Sequence, residues 1–128
     1  MPTVLIVDDE PNIVELVRVT LEDERLRVVD AGNAAAALEL AGALQPDLVL
    51  LDVNLPDMSG LEVCVELRAD PRLASTKIVM LTASAQESDV ARGLAAGADH
   101  YLTKPFSPVR LLSLVEDLLP EARLWAHS

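Results

Sequence analysis

Cysteine occurs once in the 128 residues, which excludes an intramolecular disulfide and any metal site built from several thiolates. With no histidine or cationic residue beside it, Cys64 is expected to be a core thiol rather than a nucleophile. Aromatic residues are almost as scarce, one Phe, one Tyr and one Trp. That leaves no platform on which nucleic-acid bases could stack, and the core must pack from aliphatic side chains. Basic residues are outnumbered, 10 Lys and Arg against 21 Asp and Glu, for a formal net charge of −11. A surface of that sign repels phosphate backbones and anionic lipid headgroups, so the expected partners are proteins, with no direct nucleic-acid contact and no membrane. No apolar run reaches the length of a transmembrane span, and Met1-Pro2-Thr3 has neither the basic region nor the apolar core of a signal peptide. The expected location is cytoplasmic.

What the chain does have is a regular alternation of two hydrophobic patterns. Thr3 to Val7 is an apolar, β-branched run ending at Asp8-Asp9, and after Glu10-Pro11-Asn12 come Ile13, Val14, Val17 and Leu21 at helical spacing. Leu26 to Val29 reads as a strand. Asn33 is placed to cap the Ala-rich helix 34–44. Leu48 to Leu51 is apolar throughout, as suits a strand buried on both faces, and it delivers Asp52 just before the chain breaks at Leu55-Pro56. A loop over 53–59 leads through Gly60 into a helix over 61–69, closed by Asp70-Pro71. Ile78 to Leu81 is a fourth strand finishing at Thr82, Gln86 to Ala96 a helix with Gly97 as its C-terminal cap, and His100 to Thr103 a fifth strand ending at Lys104-Pro105. Ser107 and Pro108 open a last helix running to about Leu119. Five such βα units predict one α/β domain over residues 1–120, with 121–128 a short tail. The architecture expected is a five-stranded parallel sheet between two helical layers, a flavodoxin-like (βα)5 three-layer sandwich with strand order 2-1-3-4-5.

In that order the polar strand ends collect along one edge: Asp8 and Asp9 after strand 1, Asp52 after strand 3, Thr82 after strand 4 and Lys104 after strand 5. Each has an ordinary reading. Asp52 could start a turn, Asp8-Asp9 could favour the positive end of the first helix, Thr82 could be a strand-end hydroxyl and Lys104 a solvated lysine. Their convergence at one end of four strands makes coincidence a poor account. Clustered carboxylates repel one another unless a cation offsets them, and an oxygen-only donor set without His or Cys suits Mg²⁺. A carboxylate beside such an ion is a plausible nucleophile toward phosphorus. Lys104 would supply a second positive charge, and the Thr82 hydroxyl a neutral donor.

These residues, in these settings, resemble the receiver domain of two-component response regulators, a chemotaxis-regulator-like module with a phosphoacceptor aspartate. The matching stretches are Val4-Leu5-Ile6-Val7-Asp8-Asp9-Glu10, Leu51-Asp52-Val53-Asn54-Leu55-Pro56-Asp57-Met58-Ser59-Gly60, Leu81-Thr82-Ala83 and Ala98-Asp99-His100-Tyr101-Leu102-Thr103-Lys104-Pro105-Phe106, and together they span roughly Thr3 to Leu119. The resemblance implies that Asp52 accepts a phosphoryl group from a histidine kinase or phosphotransfer protein, and that the domain catalyses only its own phosphorylation and dephosphorylation. It implies that Asp9 and Asp52 bind Mg²⁺ directly, with the backbone carbonyl of Asn54, while Asp8 acts through water. It further implies that Lys104 pairs with the phosphoryl oxygens and that the Lys104-Pro105 bond is cis. Thr82 and Tyr101 would form the switch, the Thr82 hydroxyl moving toward the phosphoryl group and Tyr101 turning into the vacated space. The face of helix 4, strand 5 and helix 5 would then control an output partner. His100 has no evident partner and no catalytic role is expected of it.

Two positions depart from a pattern found in many DNA-binding regulators that dimerise through that face: Arg110 stands at the usual acidic place and Leu114 at the usual Arg place, which puts that dimer in doubt. Asn54 and Ser84, both neutral, occupy positions that tune phosphoryl lifetime in the family. The other reading within signalling is a receiver belonging to a longer regulator rather than a stand-alone protein. Outside signalling, a Mg²⁺-dependent aspartate-nucleophile phosphohydrolase needs a general acid two residues after its nucleophile, where Asn54 cannot serve. A flavin-binding module would have to seat a phosphate on Asp8-Asp9-Glu10, which repels it.

Overall fold

The computed structural model describes residues 2–83 and 86–119. Strands β1 (Thr3–Val7), β2 (Arg27–Ala31), β3 (Leu48–Asp52), β4 (Lys77–Thr82) and β5 (His100–Thr103) alternate with helices α1 (Pro11–Leu21), α2 (Ala34–Leu44), α3 (Gly60–Ala69), α4 (Glu87–Ala95) and α5 (Pro108–Leu118). The strands pair in parallel in the order β2-β1-β3-β4-β5, the order expected from the sequence.

Period-two alternation assigns the core to the two faces of this sheet. Val4 and Ile6 of β1 and Leu48 and Leu50 of β3 share one cluster with Val17 and Leu21 of α1 and Leu111, Leu114 and Val115 of α5. Their neighbours Leu5, Val7, Val49 and Leu51 face the other way, against Ala34, Ala37 and Ala41 of α2 and Val63, Cys64 and Leu67 of α3. All five residues of β3 are buried, which is why its sequence shows no polar alternation. Cys64 is fully buried as expected, and burial pushes its thiol above the usual range.

The second strand begins and ends later than its hydrophobic run suggests. Leu26 is held in a turn by the Asp23 carboxylate, which accepts its N–H, whereas Asp30 and Ala31 stay in register with Ile6 and Val7. A 3-10 turn over Pro71–Leu73, not anticipated from the sequence, follows α3 and is capped by Asp70, which accepts from the Arg72 N–H. The expected tail over 121–128 and Ser84 lie outside the described residues. Among the described residues no helix is long and apolar enough to cross a membrane.

The edge of the sheet opposite the strand ends is tied by Arg68. Its guanidinium donates to the carbonyls of Gly97 (2.8 Å) and Thr76 (2.7 Å) and pairs with Asp99, whose Oδ2 also accepts the Ile78 N–H. Gly97 has φ +110°, and a Cβ there would lie 2.5 Å from Arg68 Cγ, so the loop before β5 needs glycine on both counts. Arg68→Ala removes its bonds to the Gly97 and Thr76 carbonyls and its pair with Asp99 at once, leaving Asp99 the Ile78 N–H. It is expected to cost roughly 2 kcal/mol in urea unfolding, the scale of charge-assisted hydrogen bonds at a half-buried position.

Candidate functional site

The carboxyl ends of β1, β3, β4 and β5 bring the site together, each through a local turn. Beyond β1, the Asp8 N–H still donates to Ala31 O (3.1 Å), continuing the pairing with β2, and Asp8 Oδ1 accepts the Glu10 N–H (2.9 Å) as the chain turns into α1. Asp52 closes β3, and its Oδ1 accepts the Asn54 N–H (3.1 Å) while Val53 N–H donates to Leu81 O (3.0 Å). After β5, the Lys104 N–H donates to Thr82 O (2.7 Å), and the Lys104-Pro105 bond is cis, as the resemblance implied. The chain then enters α5 through Ser107, whose hydroxyl accepts the Arg110 N–H.

This geometry sends the Lys104 ammonium across the edge into a group of three carboxylates, 2.8 Å from Asp8 Oδ2, 3.1 Å from Glu10 Oε1 and 3.3 Å from Asp52 Oδ2. Burial works against the Lys104 charge, but contact with Asp8 and Glu10 and the nearby Asp52 charge outweigh it and hold the ammonium well above the usual lysine range. At Asp52 the balance goes the other way. Burial raises its carboxyl most, the Asn54 N–H lowers it, the Asp8 charge raises it further, and Lys104 offsets only part.

A raised carboxyl binds its proton more tightly in the folded than in the unfolded chain. Folding is therefore penalised as pH climbs from the ordinary aspartate range through the raised value, and the penalty is complete above it. Asp52→Asn removes that penalty. The variant is expected to melt at a higher temperature than wild type at pH 7 without divalent cation, with the gap closing as pH falls below the ordinary aspartate range. Thermal scans across pH in a chelating buffer measure it, and equal melting at pH 7 would contradict it.

Asp8, Glu10 and Asp52 lie close enough for one oxygen of each to share an ion, their ligand atoms all within 4.8 Å of one another. Asp8 Oδ2 is buried and, although the Lys104 charge is 2.8 Å away, no hydrogen bond is aligned with it. A donor set of carboxylate oxygens alone, gathered within 4.8 Å, fits a hard divalent cation. Of the residues predicted for the site, Asp8, Asp52 and Lys104 meet directly. Asp9 is exposed and falls outside the close group, whereas Glu10 falls inside it. Successive residues leaving a strand point to alternate sides, so Asp8 and Glu10 share one. Asp9 nonetheless lines the same open cavity, of about 330 Å³, with Glu10, Asp52, Asn54, Ala83 and Lys104. The part of Glu10 was legible only as the third member of the Asp8-Asp9-Glu10 run.

Thr82 and Tyr101 are half-buried and line a second, smaller cleft with Val53, Met80 and Val90, between β4, β5 and α4. His100 is exposed at the start of β5. Sequence reasoning placed Gly60 at the entry to α3 but gave it no part in the site. A Cβ there would stand 2.0 Å from the Asp52 carbonyl oxygen, and the Gly60 N–H donates to Val53 O at 2.7 Å, so the loop from 53 to 59 closes back on the backbone of Asp52 itself.

Residues 4–116 match the family model of the response regulator receiver domain. Among curated proteins, the chain is 44% identical over 119 residues to the DNA-binding dual master transcriptional regulator RpaA of Synechocystis, covering 93% of this chain and 49% of that protein. It is 42% identical over 125 residues to the alkaline phosphatase synthesis transcriptional regulatory protein PhoP of Bacillus subtilis, covering 98% and 51%. The chain thus spans about half the length of these relatives. Among solved structures, the chemotaxis response regulator CheY4 of Vibrio cholerae superposes with a TM-score of 0.88 at 35% identity, covering 93% of this chain and 99% of that one. The BeF3-activated DrrB receiver domain superposes with a TM-score of 0.85 at 34% identity, covering 94% and 98%.

Proposed function

The chain belongs to the response regulator receiver domain family, and from that premise we propose that Asp52 is its phosphoacceptor, charged by a histidine kinase or phosphotransfer protein. The observation that carries this reading is the single ammonium of Lys104 set among Asp8, Glu10 and Asp52 at 2.8, 3.1 and 3.3 Å, a cation poised over a strand-end carboxylate whose carboxyl is raised by burial.

In the transfer, an Asp52 carboxylate oxygen forms a bond to phosphorus as the bond from phosphorus to the donor imidazole nitrogen breaks, and the bonding pair returns to that nitrogen. A Mg²⁺ ion would be held by Asp52, Asp9 and the Asn54 carbonyl, all of which line the open cavity, with Asp8 acting through water, and would neutralise charge on the phosphoryl oxygens. Lys104 leaves its contact with Asp52 and pairs with a phosphoryl oxygen, while Asp8 and Glu10 keep the ammonium on the correct side. Water later hydrolyses the acyl phosphate, so the catalysis concerns the domain's own covalent state. The Thr82 hydroxyl donates to a phosphoryl oxygen, and Tyr101 turns into the cleft both residues line. That movement passes the signal to the face of α4, β5 and α5.

Residues 1–120 form the receiver unit in this reading, with 121–128 a tail, and the whole acts in the cytoplasm. What the signal reaches is an output protein or domain. The DNA binding named in relatives would belong to such a part, because a chain of net charge −11 repels DNA. Incubating the protein with acetyl phosphate and Mg²⁺ and following intact mass tests the reading: one phosphoryl adduct is expected, absent when EDTA replaces Mg²⁺. No adduct with any small-molecule donor would overturn it. Continuous turnover of many phosphoesters would point instead to a phosphohydrolase, which Asn54 two residues after Asp52 is not equipped to support.

A further inference from the structure

The three N–H groups of α2 ahead of its first intrahelical bond, those of Ala34, Ala35 and Ala36, are all satisfied, and two of the three are satisfied from another loop. Asn33 uses its side chain to accept from Ala36 N–H (2.8 Å) and its carbonyl to accept from Ala37 N–H (3.1 Å). The remaining two, Ala34 and Ala35, donate to the two carboxylate oxygens of Asp57, at 2.8 and 3.1 Å. Asp57 is not part of α2. It sits in the loop between β3 and α3, and α2 has no acidic residue in its own first turn, so Asp57 supplies the negative charge that the helix start favours. The Ala34 bond, against some burial and with help from the Ala35 bond, holds the Asp57 carboxyl below the usual range.

The position of this clamp matters because of what it joins. The loop carrying Asp57 also carries Asn54, and it is closed at its base by the Asn54 to Asp52 hydrogen bond, the Asn54–Ser59 bridge and the bond from Gly60 N–H to Val53 O. Across the site, the start of α2 follows directly from Ala31, whose carbonyl accepts the Asp8 N–H. The backbone from the clamped Ala34 back to Ala31 therefore ends on Asp8, without using the Asn33 side chain, which serves Ala36 alone. The Asn54 loop and the Asp8 loop, which the receiver reading brings to one cation, are thus joined through the carboxylate of Asp57, a residue outside the lining of the cavity at the strand ends.

We propose that Asp57 is a positioning residue for the cation site, its bidentate clamp on the start of α2 setting the distance between the Asn54 loop and the Asp8 loop. This inference rests on the receiver reading above. A carboxylate that served only as a helix cap would lower stability and leave cation affinity alone. A positioning carboxylate lowers affinity, and lost supports of this kind reduce metal affinity by roughly tenfold or more.

The control is built into the same helix: Asn33→Ala removes a cap from α2 without touching the loop that bears Asn54. Mg²⁺ is titrated by calorimetry and by amide chemical shifts into the full chain carrying Asp57→Ala, Asp57→Asn or Asn33→Ala. Urea unfolding of each supplies the stability change. Asp57→Ala is expected to weaken Mg²⁺ roughly tenfold, Asp57→Asn by less because its amide oxygen still accepts one of the two N–H groups, and Asn33→Ala by under about twofold at a comparable loss of stability. Phosphorylation by acetyl phosphate should slow in Asp57→Ala at low Mg²⁺ and recover at saturating Mg²⁺. Mg²⁺ affinity in Asp57→Ala equal to wild type, or an equal loss in Asn33→Ala, overturns the inference while leaving the receiver reading intact. A wild-type chain that neither binds Mg²⁺ nor forms an adduct overturns both.

Discussion

Asp52→Asn is expected to eliminate the phosphoryl adduct that wild type forms with acetyl phosphate and Mg²⁺, with the rate of adduct formation falling by at least about a hundredfold. The amide is close in size to the carboxylate, and its carbonyl oxygen can still accept the Asn54 N–H that Asp52 holds at 3.1 Å. It lacks the electron-rich oxygen needed to attack phosphorus. Asp8 and Glu10 lie nearer the Lys104 ammonium, at 2.8 and 3.1 Å against 3.3 Å for Asp52, and in the receiver reading they hold it in place rather than attack phosphorus. Intact mass after a timed incubation reads the outcome, and hydroxylamine, which cleaves acyl phosphates, checks the linkage. An undiminished adduct in Asp52→Asn would place the acceptor on another residue. The same substitution is expected to raise the melting temperature at neutral pH without Mg²⁺. Loss of reactivity would then coincide with gained stability, as expected where function holds an unfavourable charge in a buried place.

Gly60→Ala carries the largest expected effect on stability, a loss of about 3 kcal/mol in urea unfolding. The added methyl would be placed 2.0 Å from the Asp52 carbonyl oxygen and 2.9 Å from its carbonyl carbon and from Val53 Cα. All three are backbone atoms, so no side chain can rotate away. Either the start of α3 or the end of β3 must shift, and β3 is the central, fully buried strand. Better helix propensity of Ala returns at most about 1 kcal/mol at such a position. Because the atoms under pressure belong to Asp52 itself, the surviving folded fraction should also be phosphorylated more slowly. A Gly60→Ala protein as stable as wild type would mean that α3 can lift away from β3 freely.

Much of the fold and part of the site could be read from the chain. Leu48 to Leu51, with no polar alternation, announced a strand buried on both faces, and the polar residue closing each of β1, β3 and β4 marked where those strands end. Asn33 and Ser107 were recognisable as caps because Asn and Ser favour such positions and a helical pattern follows each. Asp9 and Glu10 were harder to separate. Both are acidic and adjacent in sequence, and only the direction in which the backbone leaves β1 decides which one joins Asp8 and Asp52. Asp57 and Gly60 gave no local sign of their tasks, since a turn rich in Pro, Asp, Ser and Gly reads the same whether or not it touches another element.

What the amino-acid sequence determined by itself was the set of strands and α-helices, their order and the edge of the sheet on which the chemistry collects. These follow from hydrophobic period, caps and right-handed crossovers, all of which act over short stretches of chain. The tertiary structure alone decided which carboxylates meet the Lys104 ammonium, that Asp57 caps a helix 22 and 23 residues away in sequence, and that the Cα of Gly60 lies against the carbonyl of Asp52. Those contacts join residues that are distant along the chain, and their energies depend on ångström-scale separations that only the packed sheet and helices set.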